Sequence, residues 1–420
     1  MGSGYSNSDS GMRDVDLKSL LSSSALGIGA GSVTDTGFAW TLPTEVENPI
    51  VLSAGIPDPD SLPVQDLREA FDRVLTTSKN EALRYGGVLG FEGLRIALAE
   101  RHNSPDDTRS GPENFLIDNG SAGCIDTICD AFLDPGDVVI VEGPTFSGST
   151  RTFKGHQAEI IQVPLDRHGL KADDLPTIFQ RVEESGKRVK LLYTVCDFQN
   201  PTGTTLSQER RRQLIKLSRE HQTLIVEDSA YADIFFGVPP PLSVYAIAGG
   251  QGVLKVGSFS KILATGLRIG WIQGRSDFID ALVRVRFDMG NSPLLQRALG
   301  AYLESGKLDQ HLDRVRALYA KKCDVLSESL HEHCSQYFNF ERPNGGFYLW
   351  IDCIGPEAQD VRREASKEGV VFPLGSTFFL NQERDDSTHL RLAFSAASLA
   401  ELERVGPLLK VACDRAVGEG

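Results

Sequence analysis

Between about residues 65 and 300 the chain alternates short apolar runs with longer helical patterns, and no other feature restricts its fold as strongly. Residues 138–141 (VVIV), 190–195 (KLLYTV), 224–226 (LIV) and 253–256 (VLKV) are each flanked by turn residues, with amphipathic stretches between them. Apolar runs this short fit strands buried on both faces. Their alternation with helices implies the α/β class, a mostly parallel sheet covered by helices. Residues 305–330 then show an apolar stripe (Leu308, Leu312, Val315, Leu318, Leu326) spaced as on one helix face. From about 335 a smaller strand–helix alternation reads as an α+β domain. The expected division is an N-terminal arm over 1–45, Gly- and Ser-rich and partly disordered; a segment 46–64 belonging to the small domain; a large domain over 65–300; and a small domain over 301–420. Within the arm a short helix is expected over 16–26, and Phe38 and Trp40 are large enough to need an apolar docking place.

Charge and cysteine usage narrow the function. The 420 residues carry a formal net charge of −14, with 40% hydrophobic and 24% charged residues. A nucleic-acid surface needs a basic face, which this balance argues against. The densest basic run, Glu209-Arg210-Arg211-Arg212, falls on an apparent amphipathic helix with Leu214, Ile215 and Leu217, and reads as a solvated helix face. The seven cysteines form no C-x-x-C pair and no Cys/His set with zinc spacing. They read as free thiols of a cytoplasmic protein, with no metal site expected. No apolar run approaches the roughly 18 to 20 residues of a membrane span, and the N-terminus lacks the pattern of a secretory leader.

In open parallel sheets ligands collect outside the carboxyl ends of the strands. After 138–141 comes Glu142-Gly143-Pro144-Thr145-Phe146. After 190–195 come Cys196, Asp197 and the stretch Phe198-Gln199-Asn200-Pro201-Thr202-Gly203. After 224–226 comes Glu227-Asp228-Ser229-Ala230-Tyr231, and after 253–256 comes Gly257-Ser258-Phe259-Ser260-Lys261. Four strand ends thus converge polar groups on one region. Asn119-Gly120-Ser121-Ala122-Gly123 opens a further helical pattern whose small residues let backbone N–H groups approach an anion, although a plain helix cap would look the same. Ser258, Ser260 and Arg268 could complete an anion cage. Lys261 follows S-x-S among the apolar neighbours Phe259, Ile262 and Leu263. Desolvation lowers an amine's pKa, and the neutral amine can condense with an aldehyde; a phosphate-pairing or surface lysine is the alternative.

The segments 258–271 (SFSKILATGLRIGW), 197–203 (DFQNPTG) and 228–231 (DSAY), with Tyr85-Gly86, Gly90 and Arg391 in HLRLAFS, closely resemble the motifs of the class I and II aminotransferases, pyridoxal 5′-phosphate (PLP) enzymes of fold type I. The likeness runs from about 50 to 409 and is nearest the 2-aminoadipate and aromatic branch. It implies a large domain with a mostly parallel seven-stranded sheet and a small α+β domain. It also implies PLP as cofactor, bound as a Schiff base to Lys261. Asp228 would pair with the ring nitrogen, Tyr231 and Asn200 with the ring hydroxyl, and Phe146 would stack on the ring. Ser121, Ala122, Gly123, Ser258, Ser260 and Arg268 would hold the phosphate. Tyr85 would reach the phosphate of a neighbouring subunit, so a homodimer is expected. Arg391, with Gly55 and Asn200, would bind the substrate carboxylate. Transamination between an L-α-amino acid and a 2-oxo acid is the expected reaction. γ-Elimination or substitution, carbon–carbon bond formation and amino-acid oxidation use the same cofactor and stay open. A regulator or an inactive scaffold is disfavoured, because only about 45 residues precede the matching part and none read as a helix-turn-helix. The chain departs from the usual pattern at Cys196 and Thr265, where many relatives have proline, and at Gly86-Gly87-Val88-Leu89-Gly90. No second arginine stands out for an acidic substrate; Arg84, Arg284 and Arg286 read as surface residues, and Asn291-Ser292-Pro293 as a possible border of the neighbour's cofactor.

Overall fold

A computed structural model describes residues 17–28, 44–106, 108–380 and 386–418. Phe38 and Trp40 lie outside the described residues. The described part of the arm forms two short helices, Leu17–Leu20 and Ser23–Ile28. The second lies against the helix Ser147–Gly155, with Ser24 Oγ donating to the Gly155 carbonyl.

The strands in chain order are β1 (Ile50–Val51), β2 (Phe115–Asp118), β3 (Val138–Gly143), β4 (Glu159–Asp166), β5 (Gly169–Leu170), β6 (Val189–Thr194), β7 (Leu224–Asp228), β8 (Val253–Ser258), β9 (Gly270–Gln273), β10 (Phe338–Asn339), β11 (Tyr348–Cys353), β12 (Val370–Val371) and β13 (His389–Ala393). The large sheet has the order β2-β9-β8-β7-β6-β3-β4-β5. Its seven longer strands carry the expected core, and the two-residue β5 adds a short antiparallel edge. The β4-β3-β6-β7-β8 run is parallel throughout, while β9 runs against both β8 and β2. Alternate residues of the apolar runs feed two separate cores. Val139, Val141, Leu191, Val226 and Leu254 pack on one face, and Val138, Ile140, Leu192, Ile225 and Val253 on the other. Both faces are therefore dry, which is why these strands show no polar alternation. Asp228 and Ser258 occupy the last positions of β7 and β8 instead of the loops beyond them.

The smaller unit contains the antiparallel sheet β10-β11-β13 and the long helices Lys307–Cys334 and Leu399–Gly418. β1 pairs in parallel with β12, Ile50 opposite Val370, so the segment near residue 50 joins this unit. No helix among the described residues is long and apolar enough to cross a membrane. All seven cysteines are free and buried.

Two surface expectations are corrected. Arg211 is fully buried, not part of a solvated face. Its guanidinium pairs with Asp197 and donates to the carbonyls of Leu206, Cys196 and Leu242, so it anchors the segment leading to Asn200 from behind. Arg286 is also buried. It donates to the carbonyls of Ile117 and Val88 and pairs with Asp288. In both, an arginine expected at the surface is buried because several carbonyls replace its water shell.

Candidate active site

Lys261 sits in the short turn that follows β8, where Ser258 caps the chain by accepting from the Ser260 amide. The residue as a whole is half-buried, and its amine end is enclosed. Its Nζ donates to the Gly55 carbonyl at 2.7 Å. Burial, and then the positive field of Arg391, pull the amine down to about 8, against the opposing field of Asp228. A fraction of the amine is then neutral near neutral pH, as a nucleophile or base requires.

Asp228, at the end of the adjacent strand β7, is almost fully buried, and burial raises its carboxyl above the usual range. Tyr193 opposes that rise by donating its hydroxyl to Asp228 Oδ2 at 2.8 Å, and the Ala230 amide donates to Oδ1 at 3.1 Å. Tyr193 in turn accepts from Ser149 Oγ at 2.9 Å. Neither Tyr193 nor Ser149 was legible as a site residue. The available signal was a hydroxyl-bearing ring within the otherwise apolar run 190–195.

The anion end lies across β9 from these groups. The helix Gly120–Phe132 begins with no side-chain cap from Asn119, so that side chain takes up none of the first-turn N–H groups, those of Ser121 and Ala122 among them. Gly120 has φ +68°, and Arg268 Nη2 lies 2.8 Å from where a β-carbon would stand, so only glycine lets the guanidinium approach. Arg268, exposed, donates to the Asn119 carbonyl at 3.2 Å. Ser258 Oγ donates to Ser260 Oγ at 3.0 Å. The structure thus brings Ser121, Ala122, Gly123 and Arg268 together at one helix start.

The third group centres on Arg391, on β13 and fully buried. Its guanidinium lies between two rings, 4.5 Å from the Tyr348 centroid and 4.6 Å from that of Phe378. Nη1 donates to Asn200 Oδ1 at 2.9 Å and Nη2 to the Ser53 carbonyl. Asn200 is held in turn: Gln199 bonds Glu142 at 3.1 Å and the Pro144 carbonyl at 2.8 Å, linking the loop after β6 to the loop after β3. Burial pushes Glu142 up to about 7 despite bonds from Thr194, Val195 and Gln199. Tyr231, buried, touches Tyr348 through their hydroxyls at 2.8 Å and lies 5.9 Å from Lys261 Nζ by its ring centroid. Phe146 is half-buried at the start of the helix Ser147–Gly155. Tyr85 stands apart: it is 84% exposed and, among the described residues, forms no hydrogen bond to any of the other candidates.

This arrangement fits PLP by its chemistry. A buried carboxylate with a raised pKa gains most from a cationic partner, which a protonated ring nitrogen supplies. A helix start without a side-chain cap, faced by an arginine, suits a phosphate. An amine held near pH 8 suits covalent capture of an aldehyde.

Comparison with known proteins agrees with this chemistry. The family described as aminotransferase class I and II matches residues 47–406. The aromatic-amino-acid aminotransferase 1 of Thermococcus litoralis is 32% identical over 386 residues, covering 91% of each chain. The kynurenine aminotransferase of Pyrococcus horikoshii, solved with PMP, superposes with a TM-score of 0.86 at 28% identity, covering 96% of this chain and 98% of the other. The α-aminoadipate aminotransferase LysN of Thermus thermophilus, complexed with N-(5′-phosphopyridoxyl)-L-leucine, gives 0.85 at 27% identity, with 97% and 100% covered.

Proposed function

The chain belongs to the class I and II aminotransferases, and from that premise we propose that it uses PLP to pass the amino group of an L-α-amino acid to a 2-oxo acid. The observation that carries this reading is Lys261, an amine lowered to about 8 that lies in the electrostatic field of the buried carboxylate of Asp228 and in that of Arg391. When bound, the cofactor supplies an electron sink that accepts the pair left as a bond to the α-carbon breaks. Asp228 favours a proton on the ring nitrogen, because a buried carboxylate stabilises an adjacent cation. Tyr231 and Asn200 donate to the ring hydroxyl oxygen, and Phe146 covers the ring. Ser121, Ala122, Gly123, Ser258, Ser260 and Arg268 take the phosphate.

Arg391 receives the substrate carboxylate with a planar fork that two rings and the Ser53 carbonyl hold in place. Asn200 and Gly55 border the same place. Lys261 then moves the proton at the α-carbon, since an amine near pH 8 both accepts and returns it. An aromatic, large aliphatic or aminoadipate-like side chain is the proposed specificity. The aromatic walls at Tyr348 and Phe378 and the substrates named for the relatives support it.

A homodimer is part of the proposal. Tyr85 (84% exposed), Phe287 (94%) and Leu83 (68%) form apolar surface that a second copy would cover, with Tyr85 entering the partner's phosphate site. The proposal includes an arm over 1–45, a small-domain segment 46–64, a large domain 65–300 and a small domain 301–420, in a cytoplasmic location. The test is spectroscopic. Purified yellow protein mixed with a panel of L-amino acids should bleach, and 2-oxoglutarate should restore the colour. Release of ammonia or uptake of oxygen without restoration would refute transamination.

A further inference from the structure

One side chain links the Arg391 fork, Tyr231 and the glycine that accepts from Lys261, and its hydroxyl has a part beyond the wall its ring provides. Tyr348 opens β11 and sits two residues before Trp350, which pairs with Arg391 on β13. It is buried, and its hydroxyl meets that of Tyr231 at 2.8 Å, joining residues 117 apart in the chain. The two rings meet edge to face, 5.7 Å apart at 72°. Its ring face carries the Arg391 guanidinium at 4.5 Å. A β-carbon on Gly55 would stand 1.8 Å from the Tyr348 hydroxyl, so the hydroxyl occupies space that only glycine leaves open. The carbonyl of that same glycine accepts from Lys261.

The direction of the Tyr231–Tyr348 bond matters. Each hydroxyl has one proton, so in a pair one donates and the other keeps its proton for a third group. A cation lies over each ring, the Arg391 guanidinium 4.5 Å from the Tyr348 centroid and the Lys261 amine 5.9 Å from that of Tyr231, and the nearer one favours Tyr348 as the donor. Tyr231 then keeps its proton to donate outward. Resting on the cofactor reading above, we infer that Tyr348 is a positioning residue: its ring holds the Arg391 fork flat, and its hydroxyl aims the Tyr231 proton at the ring oxygen of the bound cofactor. Burial is the first cause that raises the Tyr231 pKa, so the phenol stays protonated and can act as a donor.

The test compares holoenzymes of the wild type, Tyr348→Phe, Tyr348→Leu, Tyr231→Phe and the double variant Tyr231→Phe with Tyr348→Phe. The first readout is the pH midpoint of the visible absorbance of the lysine-bound cofactor, without substrate. Weaker donation to the ring oxygen leaves more negative charge there and favours the protonated, yellow form. Tyr348→Phe should therefore raise the midpoint by about half a pH unit, the size of one neutral hydrogen bond. Tyr231→Phe should raise it further, and the double variant should match Tyr231→Phe alone, because the two hydroxyls act through one contact. The second readout is steady-state kinetics with the amino acid that bleaches the wild type fastest. Tyr348→Phe keeps the ring and should leave KM within about twofold, while Tyr348→Leu should raise it about tenfold through the lost guanidinium–ring contact. An unmoved midpoint in Tyr348→Phe beside a moved one in Tyr231→Phe overturns this inference alone, as does an unchanged KM in Tyr348→Leu. Wild-type protein that cannot be made yellow by PLP overturns the cofactor reading and this one with it.

Discussion

Replacing Tyr193 by phenylalanine should weaken cofactor binding without unfolding the protein. Tyr193 is fully buried on β6, and its hydroxyl supplies one of the two hydrogen bonds to the Asp228 carboxylate. That bond favours the charged form and so holds the Asp228 pKa down against burial. A hydrogen bond to a charged group contributes about 1.5–3 kcal/mol, and 1.36 kcal/mol corresponds to one pKa unit, so Asp228 should rise by about one to two units. The protonated carboxyl no longer stabilises a ring cation, and PLP affinity should fall about 10- to 100-fold. The ring itself remains, packed edge-on to Phe153 at 5.6 Å, so the core should keep its volume and melting temperature. The assay is equilibrium binding of PLP by absorbance across pH. Because the charged form is the competent one, the acid limb of the binding curve should move upward by about one unit or more. Ser149→Ala, one hydrogen bond further out, should show a smaller shift in the same direction. A Tyr193→Phe protein with wild-type affinity and an unmoved acid limb would refute the role given to this contact.

Three other outcomes follow from particular contacts. Capture of added PLP by cofactor-free protein should accelerate roughly tenfold per pH unit below about 8 and flatten above it, since Lys261 is lowered to about 8; a rate still rising at pH 10 contradicts an enclosed amine. Arg391→Lys keeps the charge but loses the fork and should raise KM about 10- to 100-fold, the equivalent of about 1.5–3 kcal/mol; equal KM values in steady-state kinetics would place the carboxylate elsewhere. Arg211→Met leaves Asp197 buried without its cation and should cost about 3–5 kcal/mol by chemical denaturation; a loss under 1 kcal/mol would show that the pair has little structural role.

The sequence alone determined which edge of the large sheet gathers the candidate groups. Apolar runs on β3, β6, β7 and β8 have to be buried on both faces, and once their parallel order is inferred the polar residues that end them share one edge. Asp228, Asn200, Ser258 and Lys261 were legible for that reason, because order along the chain translates directly into position along a strand. The tertiary structure alone decided what holds these groups in the right charge state. Tyr193 donates to Asp228 across 35 residues, Arg391 to Asn200 across 191, and Tyr348 meets Tyr231 across 117. Arg211 looked solvated because a helical period reports which side of a helix a residue occupies, not which carbonyls wait there. Hydrogen bonds and ion pairs between distant segments leave no period behind them. They depend on where two backbones pass within a few ångströms, and that is settled only when the whole chain has packed.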